Sequence, residues 1–344
     1  MHEKVSVCIP VYNGSNTILQ TINSILVQTF KDFELVIVDN ASTDNTAEIV
    51  RSIKDDRIKL YINQKNIGCG RNLDECKKRA TGDILFYIAA DDLADINAIE
   101  KVYNAFKISE DVGIVTRPYF WFDEDVTKPV RIKKRFSEDQ IVSINDSYDK
   151  VADVVALSDQ ISGTGFRKKY MNFSFRQEYF VETASMVIPI LKNCKAMILK
   201  DNIVAIRITS RNCRNPLIYE KSPMLSWYNL IVKLFNEDKY EGLRKYLINN
   251  FVANNYVGLV QIKNFGGYNY LFREIYYLIR LRWKNILNVR FWFFSMGTIV
   301  IPRIILTRMT VIFKNKINSK FIKNIKFDCS SKDVYKGYHK RWRY

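Results

Sequence analysis

Histidine is almost absent from this chain of 344 residues: there are two, His2 and His339, and both lie at its ends. Imidazole is thereby set aside as a catalytic group, and a general base has to be sought among carboxylates. The six cysteines (Cys8, Cys69, Cys76, Cys194, Cys213 and Cys329) contain no C-x-x-C pair, so neither a structural zinc site nor a disulfide scaffold is expected. The first residues, MHEKVSVCIP, show no basic segment leading into an apolar run and a cleavage site, which makes the reducing cytosol the default expectation. Internal repeats and low-complexity tracts are also missing, which excludes solenoids and arrays. The charge-free run Phe291–Pro302 is 12 residues long, short of the roughly 20 that a spanning helix needs.

Acidic residues nearly vanish from the last quarter. Between Gln261 and Tyr344 there are 18 Lys/Arg and 3 Asp/Glu, so that segment carries +15 of the formal net charge of +17. A near-neutral body with a basic tail implies an anionic partner, either nucleic acid or the cytoplasmic face of a membrane. The short apolar run followed by Arg303 and Arg308 suits a helix lying in the membrane interface; the plainer alternative is aromatics packed on the body with a solvated basic face. At 47% hydrophobic and 26% charged, the chain has an ordinary globular balance, with room for one large domain or two smaller ones.

Over the first 116 residues, apolar β-branched runs alternate with segments of helical spacing. Strands are expected at Val5–Ile9, Leu35–Val38, Ile58–Ile62, Ile84–Ile88 and Gly113–Thr116. Helices are expected after Asn16, over Thr46–Ile53, about Arg71–Ala80 and about Ile96–Ile108. The alternation predicts an α/β fold with a mostly parallel sheet covered on both faces. Ligands bind outside the carboxyl ends of such strands, which points to the loops after Ile9, Val38 and Ile88. The stretch Trp121–Asp149 is polar without a clear period and reads as a long functional loop. A helix at Glu182–Leu191 and strands at Ala196–Leu199 and Ile203–Ile208 follow, and after Pro223 the chain reads as helical and aromatic to its end.

Three loops carry chemistry. Asp39 closes the second strand, where a carboxylate can accept from a ribose hydroxyl or a base N–H, while Ser42, Thr43 and Asp44 suit the cap of the next helix. Asp91 and Asp92 follow the fourth strand. Adjacent carboxylates repel unless a positive group joins them, and a hard divalent cation shared with phosphate oxygens would do so; a helix start that favours Asp is the alternative. The run Asn66-Ile-Gly-Cys-Gly-Arg-Asn72 places backbone N–H groups and Arg71 where a phosphate could bind, or forms an ordinary turn.

Taken together, P-V-Y-N at Pro10–Asn13, V-D-N-A-S-T-D at Val38–Asp44, N-I-G-x-G-R-N at Asn66–Asn72, T-G-D at Thr81–Asp83 and A-D-D-L at Ala90–Leu93 resemble the family-2 glycosyltransferases. The resemblance is close over residues 5–116 and continues more faintly to about residue 210. It implies a GT-A fold and an inverting, hexosyltransferase-type enzyme that uses a nucleotide-sugar, most often a UDP-sugar. Pro10, Val11, Tyr12, Asn13, Asp39 and Asn40 would then hold base and ribose, with Gly68, Arg71 and Asn72 near the nucleotide. Asp91 matches the metal-binding Asp of the family's D-x-D signature, assisted by Asp92, and implies Mg²⁺ or Mn²⁺; Ala89 stands where the first Asp of that signature often is. The family's base lies in an acidic pair at a helix start after a glycine-containing segment. Gly163–Lys169 followed by Phe180-Val-Glu-Thr-Ala184 makes Glu182 the match, with Thr183 in place of the second acid, Glu178 in reserve and Asp159 further off. A helix-start charge is the alternative for Glu182.

The resulting expectation is a catalytic domain over residues 1–215, divided into a nucleotide-sugar half (1–116) and an acceptor half (117–215). A helical basic region over residues 216–344 would follow. The acceptor would be a saccharide, lipid-linked, in surface-polysaccharide synthesis of the capsule or O-antigen type. The enzyme would be cytoplasmic and peripheral on the inner face of the plasma membrane. Two other readings compete. Nucleic-acid binding by the tail has no zinc-finger, RNA-binding or helix-turn-helix motif behind it. A nucleotidyltransferase would want a basic glycine-rich loop after the first strand, and Tyr12-Asn-Gly-Ser-Asn-Thr17 contains no Arg or Lys.

Overall fold

β1 (Val5–Val11) is buried at six of its seven positions, the pattern of a central strand covered on both faces. It pairs in parallel with β2 (Phe33–Asp39) and with β4 (Ile84–Tyr87), and β2 pairs in parallel with β3 (Ile58–Ile62). The connecting helices are α1 (Ile18–Leu26), α2 (Thr46–Ser52) and α3 (Cys69–Arg79). Each buries one stripe; in α1 this is Ile18, Ile22 and Ile25, at the spacing that puts three side chains on one face. The computed structural model describes residues 3–178, 180–208, 216–312, 322 and 325–329.

After β5 (Leu93–Ala94), α4 (Ala98–Lys107) and β6 (Val112–Thr116), the chain departs from simple alternation. The segment expected as one long loop, residues 121–149, is divided by short strands: β7 (Phe120–Phe122), β8 (Arg131–Ile132) and β9 (Gln140–Val142). Strands of two or three residues are too short to show a period of two, which is why the segment reads as irregular. α5 (Tyr148–Leu157) leads to β10 (Thr164–Arg167), which lies antiparallel between β4 and β6. Its Gly165 faces α4: a Cβ there would come 2.5 Å from Val102 Cγ1, so the helix packs this closely only over glycine. α6 (Glu182–Leu191), β11 (Lys195–Ile198) and β12 (Val204–Arg207) complete the sheets. The larger has the order β3-β2-β1-β4-β10-β6-β11-β9 and the smaller β5-β12-β7-β8.

The remaining helices are α7 (Pro223–Leu234), α8 (Glu241–Leu247), α9 (Gly258–Phe265), α10 (Tyr268–Leu281), α11 (Val289–Val300) and α12 (Arg303–Ile312). α7 starts sharply: Ser222 Oγ accepts from Leu225 N at 3.0 Å, and Pro223 occupies the first helical position, where its missing N–H costs nothing. Leu230, Leu259, Leu271 and Phe291 from these helices join the same buried core as the sheet. The expectation of helix to the chain end fails at residues 325–329, which take no helical form. They run back to the smaller sheet, where Asp328 N donates to Asp95 Oδ2 at 2.8 Å and Phe327 meets Phe120 edge-on at 5.1 Å.

Candidate active site

The loops after β1 and β2 are built on each other. Asn40 N donates to Val11 O at 2.8 Å, Asn13 N to Ser42 Oγ at 2.8 Å, and Thr43 N to Asn13 Oδ1 at 2.8 Å. Gly14 N donates to Thr46 Oγ1 at 2.9 Å and Ser15 N to Asp44 Oδ2 at 3.1 Å. Two residues here, Asn13 (φ 53) and Ala41 (φ 61), lie in the left-handed region without being glycine. That backbone costs of order 1–3 kcal/mol at such positions and clusters at ligand sites. Asp39 is buried at the end of β2; its Oδ1 accepts from Ser42 N at 2.9 Å, and among the described residues Oδ2 accepts no hydrogen bond.

A second set of bonds joins β2, the loop after β3 and α3. Asn40 Oδ1 accepts from Asn63 Nδ2 (3.0 Å) and Ile67 N (2.9 Å), and its Nδ2 donates to Asn66 Oδ1 at 2.9 Å. Asn72 accepts from Asn63 at 2.9 Å and donates to Val38 O at 3.0 Å. The residues expected at the nucleotide therefore divide. Val11, Asn40 and Asn72 are buried, and the two asparagines hold the framework; Tyr12, Asn13 and Arg71 are exposed. Gly68, at φ 88, makes the turn into α3, a conformation glycine adopts without strain.

The acidic pair after β4 is split in the same way. Asp92 is buried, with Oδ2 accepting from Ser162 Oγ at 2.5 Å and Oδ1 from Arg207 N at 2.8 Å. Burial first, and the charge of Asp91 second, push its carboxyl well above the usual range. Both Asp92 oxygens being taken by protein donors, the expected ligand pair Asp91/Asp92 reduces to Asp91, which is only partly buried. Arg207 locks the turn: Nε donates to Asp91 O at 2.9 Å, Nη2 to Gln20 Oε1 at 2.7 Å, and the guanidinium lies 4.5 Å over Phe122. Among the described residues, no group of three or more His, Cys, Asp or Glu could hold an ion by itself. One carboxylate suits Mg²⁺ or Mn²⁺ arriving with phosphate oxygens and water, which is how Mg²⁺ is usually held.

Sequence reasoning missed Ser162, Arg207 and Arg117. Arg117 is fully buried, and burial brings its guanidinium down to about 10. It donates to Ser162 O and, at 3.2 Å, to Gln160 O, fixing the loop that carries Ser162. Gly163 sits against it at φ +81, where a Cβ would meet Arg117 Nε at 2.7 Å. Gly163→Ala is expected to cost about 1–3 kcal/mol, read as a lower melting temperature with activity retained per folded molecule. Asp159, the distant reserve base, is occupied: Tyr119 Oη donates to it at 2.6 Å and Lys133 Nζ at 2.5 Å.

Glu182 opens α6 and is 9% exposed. Burial, its largest influence, brings its carboxyl up to about 8, with Glu178 adding a smaller push in the same direction. Its charge is felt at Cys69, the first residue of α3, so it stands near the Gly68 turn. Thr183 beside it is buried. Glu178 is half-buried and lies 3.5 Å from the Arg176 guanidinium. The segment before α6 lies on the first turn of α3, where a Cβ on Gly70 would come 2.3 Å from Arg176 O.

Comparison with known proteins bears on the family and the fold. Residues 6–171 match the family Glycosyl transferase family 2. The putative glycosyltransferase EpsE of Bacillus subtilis is 34% identical over 143 residues, covering 41% of this chain and 51% of EpsE. The glycosyltransferase GlyG of Streptococcus pneumoniae is 29% identical over 126 residues, covering 36% of this chain and 42% of GlyG. The chain thus spans about half the length of these curated relatives. In structure it resembles S. aureus TarS 1–349 in complex with UDP-GlcNAc, with TM-score 0.61, 16% identity and coverage of 90% and 91% of the two chains. It also resembles the mannosyltransferase PcManGT from Pyrobaculum calidifontis, in complex with GDP-Man and Mn²⁺, with TM-score 0.53, 16% identity and coverage of 87% of each chain.

Proposed function

Residues 6–171 are a family-2 glycosyltransferase domain on a GT-A fold, and from that premise we propose that the chain transfers a sugar, with inversion, from a nucleotide-sugar to a saccharide acceptor. The observation that carries this is the division of labour after β4: a buried Asp92, held by Ser162 and Arg207, fixes the turn that leaves Asp91 partly exposed at the strand's carboxyl end. Asp39 Oδ2, Tyr12 and Asn13 supply contacts for base and ribose, and Arg71 lies at the start of α3 for the nucleotide. When bound at Asp91, Mg²⁺ or Mn²⁺ would neutralise charge developing on the leaving diphosphate.

Glu182 takes the acceptor's hydroxyl proton as that oxygen forms its bond to the anomeric carbon and the bond to the diphosphate oxygen breaks. The donor is a UDP-sugar, in keeping with the likeness to TarS. The acceptor is lipid-linked, and the setting is the inner face of the plasma membrane, in surface-polysaccharide synthesis. Among the described residues, no helix is long and apolar enough to cross a membrane.

The test is a thermal-shift and hydrolysis screen with UDP, UDP-GlcNAc and GDP-mannose, with and without Mn²⁺. Stabilisation and slow hydrolysis with one nucleotide-sugar are expected, and no shift with any of them would overturn the reading. The pH profile is a second check. A base with a carboxyl near 8 is mostly protonated at neutral pH, so kcat/KM should rise about tenfold per unit up to about pH 8 and then level.

A further inference from the structure

We infer that α10, α11 and α12 together form a docking face for an anionic lipid bilayer, with apolar side chains entering the interface and arginines on the headgroups. Each helix packs one side inward: Leu271, Glu274 and Leu278 in α10, and Phe291, Ser295 and Thr298 in α11, are buried. The opposite sides are apolar and open. α10 exposes Tyr268, Phe272 and Tyr276, four residues apart on one stripe. α11 exposes Val289 (85%), Phe293 (72%), Met296 and Val300 (69%), again at helical spacing. α12 adds Ile304, Ile305, Met309 and Ile312. The α10 and α11 stripes adjoin, since Tyr268 Oη donates to Ile299 O at 3.3 Å across the two helices, and α12 follows α11 directly and packs on α9 through Thr307 and Asn264.

An apolar surface of this kind marks an interaction site, and its charges say for what. Residues 268–312 contain seven Lys/Arg and a single acid, Glu274. That acid is fully buried, 3.1 Å from Arg273 and hydrogen-bonded to Ser222. The face is therefore apolar and basic without an exposed carboxylate, which a protein partner would ordinarily need for its own cations. A depression of about 360 Å³ lined by Asn249, Leu281, Arg282, Trp283 and Lys284 opens beside it. Two cations and an indole suit a phosphate headgroup at the interface, where tryptophan is favoured.

This face differs from the expected tail anchor, because the helices also carry core residues. Asn285 is buried and bonded to Tyr256, Ala253 and Leu278, and Phe291 lies in the main core. Removing the chain from residue 285 onward would take away these core residues, so surface substitutions are the appropriate test. The inference deepens the membrane setting proposed above, and its readout is binding, independent of sugar transfer.

The experiment is co-sedimentation of the full chain with phosphatidylcholine vesicles, with and without phosphatidylserine. The wild type should bind the phosphatidylserine vesicles and leave them as salt is raised. Arg290→Gln/Arg303→Gln/Arg308→Gln should weaken binding by about 100-fold, at roughly 1 kcal/mol per basic group. Phe293→Ser/Val300→Ser should weaken it while keeping the wild-type melting curve and donor hydrolysis. Wild-type binding by both variants would overturn the inference. So would a wild-type dimer that Phe293→Ser/Val300→Ser dissociates without any effect on vesicle binding, since a second copy of the chain would then cover the face.

Discussion

Asp91→Ala should reduce transfer about a thousandfold while leaving the melting temperature unchanged. The carboxylate is partly exposed at the end of β4, so its removal opens no cavity in the core. What is lost is several kcal/mol of charge stabilisation at the leaving diphosphate. Its neighbour supplies the contrast. Asp92→Ala strands Arg207 N and Ser162 Oγ, the donors it satisfies at 2.8 and 2.5 Å, and each unsatisfied buried group costs about 1–3 kcal/mol. Asp92→Ala should therefore melt several degrees lower and lose activity because the turn moves. Steady-state kinetics and calorimetry on the two variants separate the roles. Wild-type turnover by Asp91→Ala over a range of Mn²⁺ concentrations would remove Asp91 from the reaction.

The difference between those two aspartates could not be read from the pair itself. Adjacent residues at a strand end point to different sides, and which one turns inward depends on Ser162 and Arg207, 70 and 115 residues away. β1 to β4 and β6 were legible because buried strands of this kind are continuous apolar runs bounded by turns, whereas β5, two residues long, was not. β10 was not: Thr164–Arg167 contains a glycine and an arginine, and its burial comes from lying between β4 and β6. Arg167 is tolerated there because its guanidinium reaches Phe106 O at 2.8 Å and the Glu3 carboxylate. Asn40 and Asn72 were legible as candidates for the nucleotide site, but their work as struts depends on Asn63 and Asn66 meeting them in space. A strand at Ile203–Ile208 was visible in the sequence, yet nothing local says that Arg207 closes over the Asp91 turn.

Glu182→Gln is the substitution that separates a base from a helix-start charge. It keeps the shape and the hydrogen-bonding capacity of the side chain but cannot take a proton. Loss of general-base assistance should lower kcat by about 10²–10⁴-fold, with the affinity for nucleotide nearly unchanged because Asp39, Arg71 and Asp91 are untouched. The stability effect has the opposite sign, for a physical reason. The folded-state carboxyl lies near 8, above its ordinary value of 4.5. The neutral form is therefore the one the fold favours, and stability is lost as pH rises from the ordinary value through about 8. Glutamine cannot ionise, so the variant should melt at the wild-type temperature in acid and above it at alkaline pH. The kcat/KM rise toward pH 8 should vanish from whatever residual activity remains. A purely structural Glu182 would leave kcat per folded molecule near wild type, and that result would move the base to Glu178, four residues upstream, where Glu178→Gln would show the loss instead.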